Sequence, residues 1–342
     1  MQGFFEAHAN TPPRRACAHR TGSCCGRPFD VFAFGLNSDD GSEWRRGIVR
    51  SVERGAPSGD SRFIDLSGMS AKRAVARLKE AKLQLLIDFN GFTTDEHAEF
   101  LATRPAAVVM QAVGYPGTMG SRFVDYILLD RNAAPPHAAS AISERMVLIP
   151  NCYQVNSHRL HPLPHAPPGS RGEEGQSEVG ASIPLAAGDS PRQLLQLVNF
   201  NQLYKLSSAV FSPWCSALAR SPHTALWLLR QPPEGEPLLR AELASCGIAH
   251  ARRLHFADLL ADIPAHLTRT SRAHLLVDTP EYNCHTTGSD ALWAGVPSLT
   301  VAGAQMASRV GKSLVQASSV APGLTRSMRE YTSLAVYLTT RT

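Results

Sequence analysis

The chain has 342 residues, of which 43% are apolar and 18% charged, which excludes a disordered chain or a coiled coil and suits two domains of ordinary size. The 34 Lys and Arg against 29 Asp and Glu leave a net charge of +5. That surplus is dispersed, so it gives no nucleic-acid footprint and at most favours small anions. No run of about 18 apolar residues occurs, so no membrane span is expected, and the first residues show no secretory pattern.

Residues 1–28, rich in Arg, Pro, Gly and Cys, have no strand or helix period and read as an irregular leader. Cys17, His19, Cys24 and Cys25 lack a second ligand pair at finger-like spacing, so no metal site is expected. The other cysteines, Cys152, Cys215, Cys246 and Cys284, are isolated, as reduced thiols of a cytoplasmic or nuclear protein would be.

Regular pattern begins with the apolar run FDVFAFGL (29–36), which ends at the turn NSDDGS, where Asp39 and Asp40 shape the turn. RFIDL, LQLLIDF, AAVVMQAV, DYILLD and MVLIP read as strands. SAKRAVARLKEAK from Ser70 and the stretch from Asp95 to Leu101 read as helices. Between 156 and 190 the pattern gives way to Pro, Gly, Ser and Glu, too poor in apolar residues to offset the entropy of ordering. The alternation then resumes: LLQLVNF, TALWLLR, RLHF, HLLVD and SLTVA as strands, separated by helical stretches, one of which ends at Gly247. A last helical stretch covers 307–317, and the elements beyond it look curtailed. The pattern predicts a leader (1–28), an N-terminal Rossmann-like domain (29–155), a linker (156–190) and a C-terminal Rossmann-like domain (191–342). Both domains are doubly wound α/β layers. Trp214, Trp227 and Trp293 fall at core-like positions.

Such sheets bind ligands beyond the carboxyl ends of their strands, and four stretches lie there. NFNQLYK brings Gln202 and Lys205 into a loop, though a loop lysine is as a rule only solvated. In DTPEYNCHTTGSDALWAG a polar loop leads into a helix with His285, Thr286, Thr287, Gly288 and Asp290 within six residues. Free N–H groups and the helix dipole make such a start a phosphate site, and plain capping is the alternative. VGYPGTMGSRFVDY holds Gly114 in a glycine-rich turn that can be merely a tight connection. His266 and Arg269, one helical turn apart, suit a flat base, or form an ordinary surface pair.

In these places the sequence resembles the catalytic region of protein O-linked N-acetylglucosamine transferases. The stretches that carry the resemblance are DVFAFGLNSDDGSEWR, LLIDFNGFT, RPAAVVMQAVGYPGTMGSRFVDYILLD, NFNQLYK, TALWLLRQPPEGEP, LLVDTPEYNCHTTGSDALWAGVPSLT and ASRV, in the family's order between Phe29 and Val310. The resemblance implies a GT-B fold of two facing Rossmann-like domains. It also implies inverting, metal-independent transfer of N-acetylglucosamine from UDP-GlcNAc to Ser or Thr hydroxyls of proteins, with no cofactor. It gives Lys205 the diphosphate and the catalytic role, with Gln202 beside it. His285, Thr286 and Thr287 take donor phosphate and sugar, Asp290 the ribose, His266 with Arg269 the uracil, and Gly114 part of the sugar pocket. One departure stands out. Where the family has a strand and an Asp-Phe-Gly-x-His-Pro stretch, this chain has TPPRRACAHRTGSCCGRP, so no residue inherits those roles and the first domain is expected to lack its initial strand and helix. The alternatives are an inactive UDP-sugar-binding module or truncated fragment, and a protein O-fucosyltransferase, whose corresponding loops differ from QLYK and HTTGSD.

Overall fold

The computed structural model of the chain describes residues 29–54, 61–93, 97–160, 194–248, 253–319 and 323–341. The leader (1–28) and most of the linker (161–190) lie outside them. The chain divides into two units, residues 1–115 with 121–126 and residues 116–120 with 127–342.

In the first unit β1 (Ala33–Gly35) pairs in parallel with β2 (Phe63–Asp65), and β3 (Leu85–Asp88) pairs in parallel with β4 (Val108–Ala112). Helix α1 (Glu43–Glu53) connects β1 to β2. Its apolar residues Trp44, Ile48 and Val52 recur every four positions, a helical spacing that the elements expected from sequence do not include. Its start is nonetheless encoded locally: the Ser42 hydroxyl accepts the Arg45 N–H, while Asp39 and Asp40 accept the N–H groups of Gly41 and Ser42, which shapes the turn as expected. Helix α2 (Ala71–Glu80) buries Ala74 and Leu78 against Leu66 and Phe100, the last from the short α3 (Ala98–Ala102).

The second unit contains β5 (Tyr126–Leu129) from its second residue onward, and β6 (Arg145–Leu148). Residues 127–155, which in sequence read as the end of the first domain, pack within this unit. Ile127, Leu129 and Tyr153 share a core with Val310 and Leu314, and Asp130 accepts the Ser313 hydroxyl at 2.6 Å. A parallel six-stranded sheet follows, built from β7 (Leu195–Asn199), β8 (Thr224–Leu229), β9 (Leu254–Ala257), β10 (Leu275–Val277), β11 (Ser298–Val301) and β12 (Leu324–Thr325). Its order is β12-β11-β10-β7-β8-β9. The chain starts at the centre, winds outward through β8 and β9, then returns to β10 and winds the other way. The reversal lies between β7 and β10, and such a switch point is where parallel α/β sheets leave a crevice for ligands.

Alternate side chains explain the continuous apolar runs. Leu197, Leu226 and Leu228 enter one core with Trp214 and Tyr331, while Val198, Trp227 and Leu229 enter the core on the opposite face. The helices are α4 (Ser208–Arg220), α5 (Gly235–Ser245), α6 (Ile263–Thr270), α7 (Thr286–Trp293), α8 (Val310–Ala317) and α9 (Met328–Thr340). Near the end of the chain β12 joins the sheet, and α9 places Tyr331, wholly buried, within hydrogen-bond reach of Trp214. Trp214 and Trp227 are core residues as expected. Trp293 is not, being 39% exposed at the end of α7. Among the described residues no helix is long and apolar enough to cross a membrane, and the four cysteines are free thiols.

Candidate active site at the switch point of the second unit

The loops leaving β7 and β10 are tied together at the switch point. Asn199 donates to the Val277 carbonyl at 2.7 Å, closing the two strand ends against each other. Beyond it, Asn201 donates to Thr279 Oγ1 and the Cys284 sulfur and accepts the Thr287 hydroxyl at 2.7 Å. Neither asparagine is among the residues that the sequence singles out.

Lys205 sits in a 3-10 turn after β7. Its Nζ donates to the Asn283 carbonyl at 3.2 Å and lies 3.9 Å from the centre of the Tyr282 ring. Burial lowers its pKa, opposed by Cys284 and Asp278. It is a half-buried cation bound to the β10 loop, not a solvated surface lysine. Gln202, by contrast, is exposed and contributes its carbonyl to the Lys205 N–H.

The β10 loop is built around Asp278. One carboxylate oxygen accepts the N–H groups of Thr279 and Cys284 at 2.8 and 2.6 Å, and the other accepts the Thr300 hydroxyl at 2.6 Å. Burial raises its pKa despite these donors. Asn283 braces the same loop, donating to the Thr279 carbonyl and accepting the Gly311 N–H. The loop then delivers His285 to the start of α7, where its side chain does not cap the helix. Instead its Nε2 donates to the Ala307 carbonyl at 3.0 Å, which leaves Nδ1 as an acceptor. The first N–H groups of α7 therefore have no side-chain cap from His285, a configuration suited to an anion.

Burial lowers the His285 pKa from 6.5 to about 4, with the Lys205 charge acting in the same direction. The folded chain thus takes up this proton less readily than the unfolded chain. The contribution of this group is nil well above pH 6.5 and becomes a loss of stability as the pH drops from there towards 4. Two and a half pH units correspond to about 3 kcal/mol. Urea unfolding at stepped pH is expected to show that loss in the native chain and not in His285→Gln, whose amide can still donate to Ala307. Parallel pH profiles for the two proteins would contradict it.

Deeper along α7, Asp290 is 4% exposed and accepts from two imidazoles, His158 Nε2 at 2.7 Å and His266 Nε2 at 3.2 Å. Burial pushes its pKa up, but these hydrogen bonds outweigh it and hold the carboxyl below its ordinary value. His266 stands on α6 with Arg269, as the spacing suggests, and Arg269 Nη2 donates to His266 Nδ1 at 3.2 Å. Arg269 is no surface residue. It is 5% exposed, donates to the Asp258 carbonyl at 2.6 Å and lies 4.5 Å from the centre of the Phe200 ring.

One region of the second unit thus holds Lys205, His285, Thr286, Thr287, Asp290, His266 and Arg269. Gly114 belongs to the first unit, where an added Cβ would overlap the Phe89 carbonyl oxygen. Close packing of two backbones requires glycine there. Among the described residues, no three of His, Cys, Asp and Glu are placed to hold a metal ion together.

The second unit is thus a parallel α/β sheet of the Rossmann-like class whose switch point carries a half-buried lysine, a helix start without a side-chain cap and a buried carboxylate. The sequence matches Glycosyl transferase family 41 over residues 24–168 and 168–342, and the chain belongs to that family. It is 34% identical over 326 residues to the probable UDP-N-acetylglucosamine–peptide N-acetylglucosaminyltransferase SEC of Arabidopsis thaliana, covering 94% of this chain and 31% of that protein. It is 26% identical over 407 residues to the UDP-N-acetylglucosamine–peptide N-acetylglucosaminyltransferase of Caenorhabditis elegans, covering 91% of this chain and 34% of that one. The chain therefore spans about a third of the length of these relatives. Among solved structures, a mutant O-GlcNAc transferase of Thermobaculum terrenum superposes with a TM-score of 0.73 at 22% identity, over 99% of this chain and 57% of that one. That likeness is one of fold, and the fold is α/β of the GT-B type.

Proposed function

We propose that this chain is the catalytic region of a protein O-GlcNAc transferase, which takes N-acetylglucosamine from UDP-GlcNAc and joins it to Ser or Thr hydroxyls of proteins. The relatives' names support the donor and acceptor classes. The observation that carries the reading is the linkage of Lys205 to the β10 loop, immediately before the uncapped start of α7. In this reading the diphosphate lies against the Lys205 ammonium and the first N–H groups of α7, with Thr286 and Thr287 as hydroxyl donors and Gln202 alongside. His285, with Nε2 committed to Ala307, presents Nδ1 to a sugar hydroxyl. Asp290 serves the ribose, and His266 with Arg269 the uracil. Gly114 is assigned to the sugar pocket by family resemblance alone.

The acceptor hydroxyl oxygen attacks the anomeric carbon from the face opposite UDP and loses its proton to solvent, while the bond to the β-phosphate oxygen breaks and that oxygen takes the electron pair. Configuration is thereby inverted. Negative charge grows on the departing UDP, and a fixed ammonium with helix N–H groups can stabilise it without a metal. A cytoplasmic or nuclear location belongs to the same proposal, in keeping with free thiols at Cys152, Cys215, Cys246 and Cys284.

Calorimetry with UDP in the presence of EDTA tests the donor half. Saturable binding with a 1:1 stoichiometry is expected. Folded protein that binds no UDP, or binds it only with Mg²⁺ or Mn²⁺, would overturn the assignment. Transfer from labelled UDP-GlcNAc to an acceptor peptide then separates an enzyme from a module that only binds the nucleotide sugar.

A further inference from the structure

His158 lies at the end of the described segment that follows β6, in a stretch whose composition reads as linker, yet only 6% of it is exposed. Asn156 prepares it: its Oδ1 accepts the His158 N–H at 3.2 Å, while its Nδ2 donates to the Ser289 hydroxyl on α7. The imidazole then lies beside Trp293, ring centres 5.7 Å apart, and gives its Nε2–H to Asp290. The other ring nitrogen, Nδ1, is buried with no hydrogen-bond partner among the described residues.

The hydrogen bonds set the direction of every donor in this cluster. A carboxylate only accepts, so both imidazoles carry a hydrogen on Nε2. A guanidinium only donates, so His266 Nδ1 is the acceptor of Arg269. Asp290 therefore holds the His266 ring from one side while Arg269 holds it from the other. His158 binds the carboxylate oxygen that His266 does not. With one oxygen held at 2.7 Å by a buried ring, the carboxyl plane is fixed, and with it the direction in which its remaining lone pairs and the His266 face can meet a ligand.

We propose that His158 is a positioning residue of the nucleotide site, holding the Asp290 carboxylate and, through it, the His266 ring in the orientation that receives uridine. This rests on the donor-site reading above and adds to it a residue from outside the sheet. Uridine recognition then depends on a hydrogen bond made well away from the diphosphate, whose own partners, Lys205 and the start of α7, His158 does not touch.

The test uses the full chain with Phe and Gln at position 158, titrated with UMP and separately with inorganic pyrophosphate. His158→Phe keeps a ring beside Trp293 but has no donor. His158→Gln places an amide N–H at a reach similar to that of Nε2. A hydrogen bond to a charged group corresponds to about a 10- to 100-fold change in affinity. His158→Phe is expected to weaken UMP binding by about that factor, His158→Gln to stay within about threefold of the native chain, and pyrophosphate binding to be unchanged in both. UMP binding by His158→Phe at native affinity overturns the proposal. So does equal weakening in both variants, or equal loss for UMP and pyrophosphate, either of which marks a general packing role. If the native chain itself binds neither UMP nor UDP, the donor-site reading fails first and takes this one with it.

Discussion

Replacing Lys205 by alanine is expected to lower turnover about 10²–10³-fold, while weakening UDP binding far less. The asymmetry follows from when the charge is needed. In the proposed reaction, UDP-GlcNAc already carries a diphosphate when bound, but the β-phosphate oxygen gains its full extra charge only as the sugar departs. A fixed donor aimed at charge that develops in the transition state is worth about 2.7–4 kcal/mol. The Lys205 ammonium is fixed in this way, by the Asn283 carbonyl and the Tyr282 ring, and its half-buried setting strengthens its field. In the native chain the cation must remain protonated, and burial acts against that, so a bound diphosphate would restore what burial takes away. Single-turnover transfer to an acceptor peptide, measured beside UDP calorimetry on the same variant, separates the two effects. Unchanged turnover in Lys205→Ala would make the lysine a bystander. An equal loss in both measurements would make it a binding residue only.

Much of the second unit is legible in sequence because both faces of its sheet are buried. A strand such as TALWLL is then apolar throughout, and its β-α alternation survives without knowledge of partners. The same logic locates the loops after β7 and β10, since strand ends next to polar, glycine-containing turns mark themselves. Local pattern does not reveal which loop residues face each other. Asn201 meets Thr287 across 86 residues, and His158 meets Asp290 across 132. The second pair is further hidden because His158 stands in a stretch whose composition lacks the apolar content of a core. A single buried imidazole needs no apolar run around it, only a carboxylate to bind. Trp293 misleads for the opposite reason. Its position in a helix suggests core packing, whereas it lies beside His158 and is 39% exposed. Spacing places Arg269 on the correct helix with the correct partner, but burial and the Asp258 carbonyl give it a structural role alongside any contact with a base.

The largest effect on folding is expected from Asp278→Ala. The native side chain is 1% exposed and supplies every acceptor for the N–H of Thr279, the N–H of Cys284 and the hydroxyl of Thr300. Alanine leaves these donors without it, at about 1–3 kcal/mol each, so a loss of about 3–9 kcal/mol is set against a total stability of about 5–15 kcal/mol. Asp278→Asn should cost far less. Its amide oxygen can still accept both N–H groups, its NH₂ can donate to Thr300, and it removes a charge whose burial already raises the carboxyl pKa. Gly311→Ala attacks the same junction from α8: an added Cβ would overlap Asp278 Oδ2 and Thr300 Oγ1, and it would sit 3.2 Å from Asn283 Oδ1. These oxygens are all engaged in hydrogen bonds, so none can move aside without breaking one, and overpacking of this kind typically costs about 1–3 kcal/mol or more. The consequence reaches the site because the loop that Asp278 closes also carries the Asn283 carbonyl to Lys205 and His285 to α7. Urea unfolding should therefore rank native, Asp278→Asn, Gly311→Ala and Asp278→Ala in descending stability, with UDP affinity falling in the same order among variants that still fold. If Asp278→Ala unfolds within about 1 kcal/mol of the native chain, the carboxylate does not hold the loop, and the placement of Lys205 must have another cause.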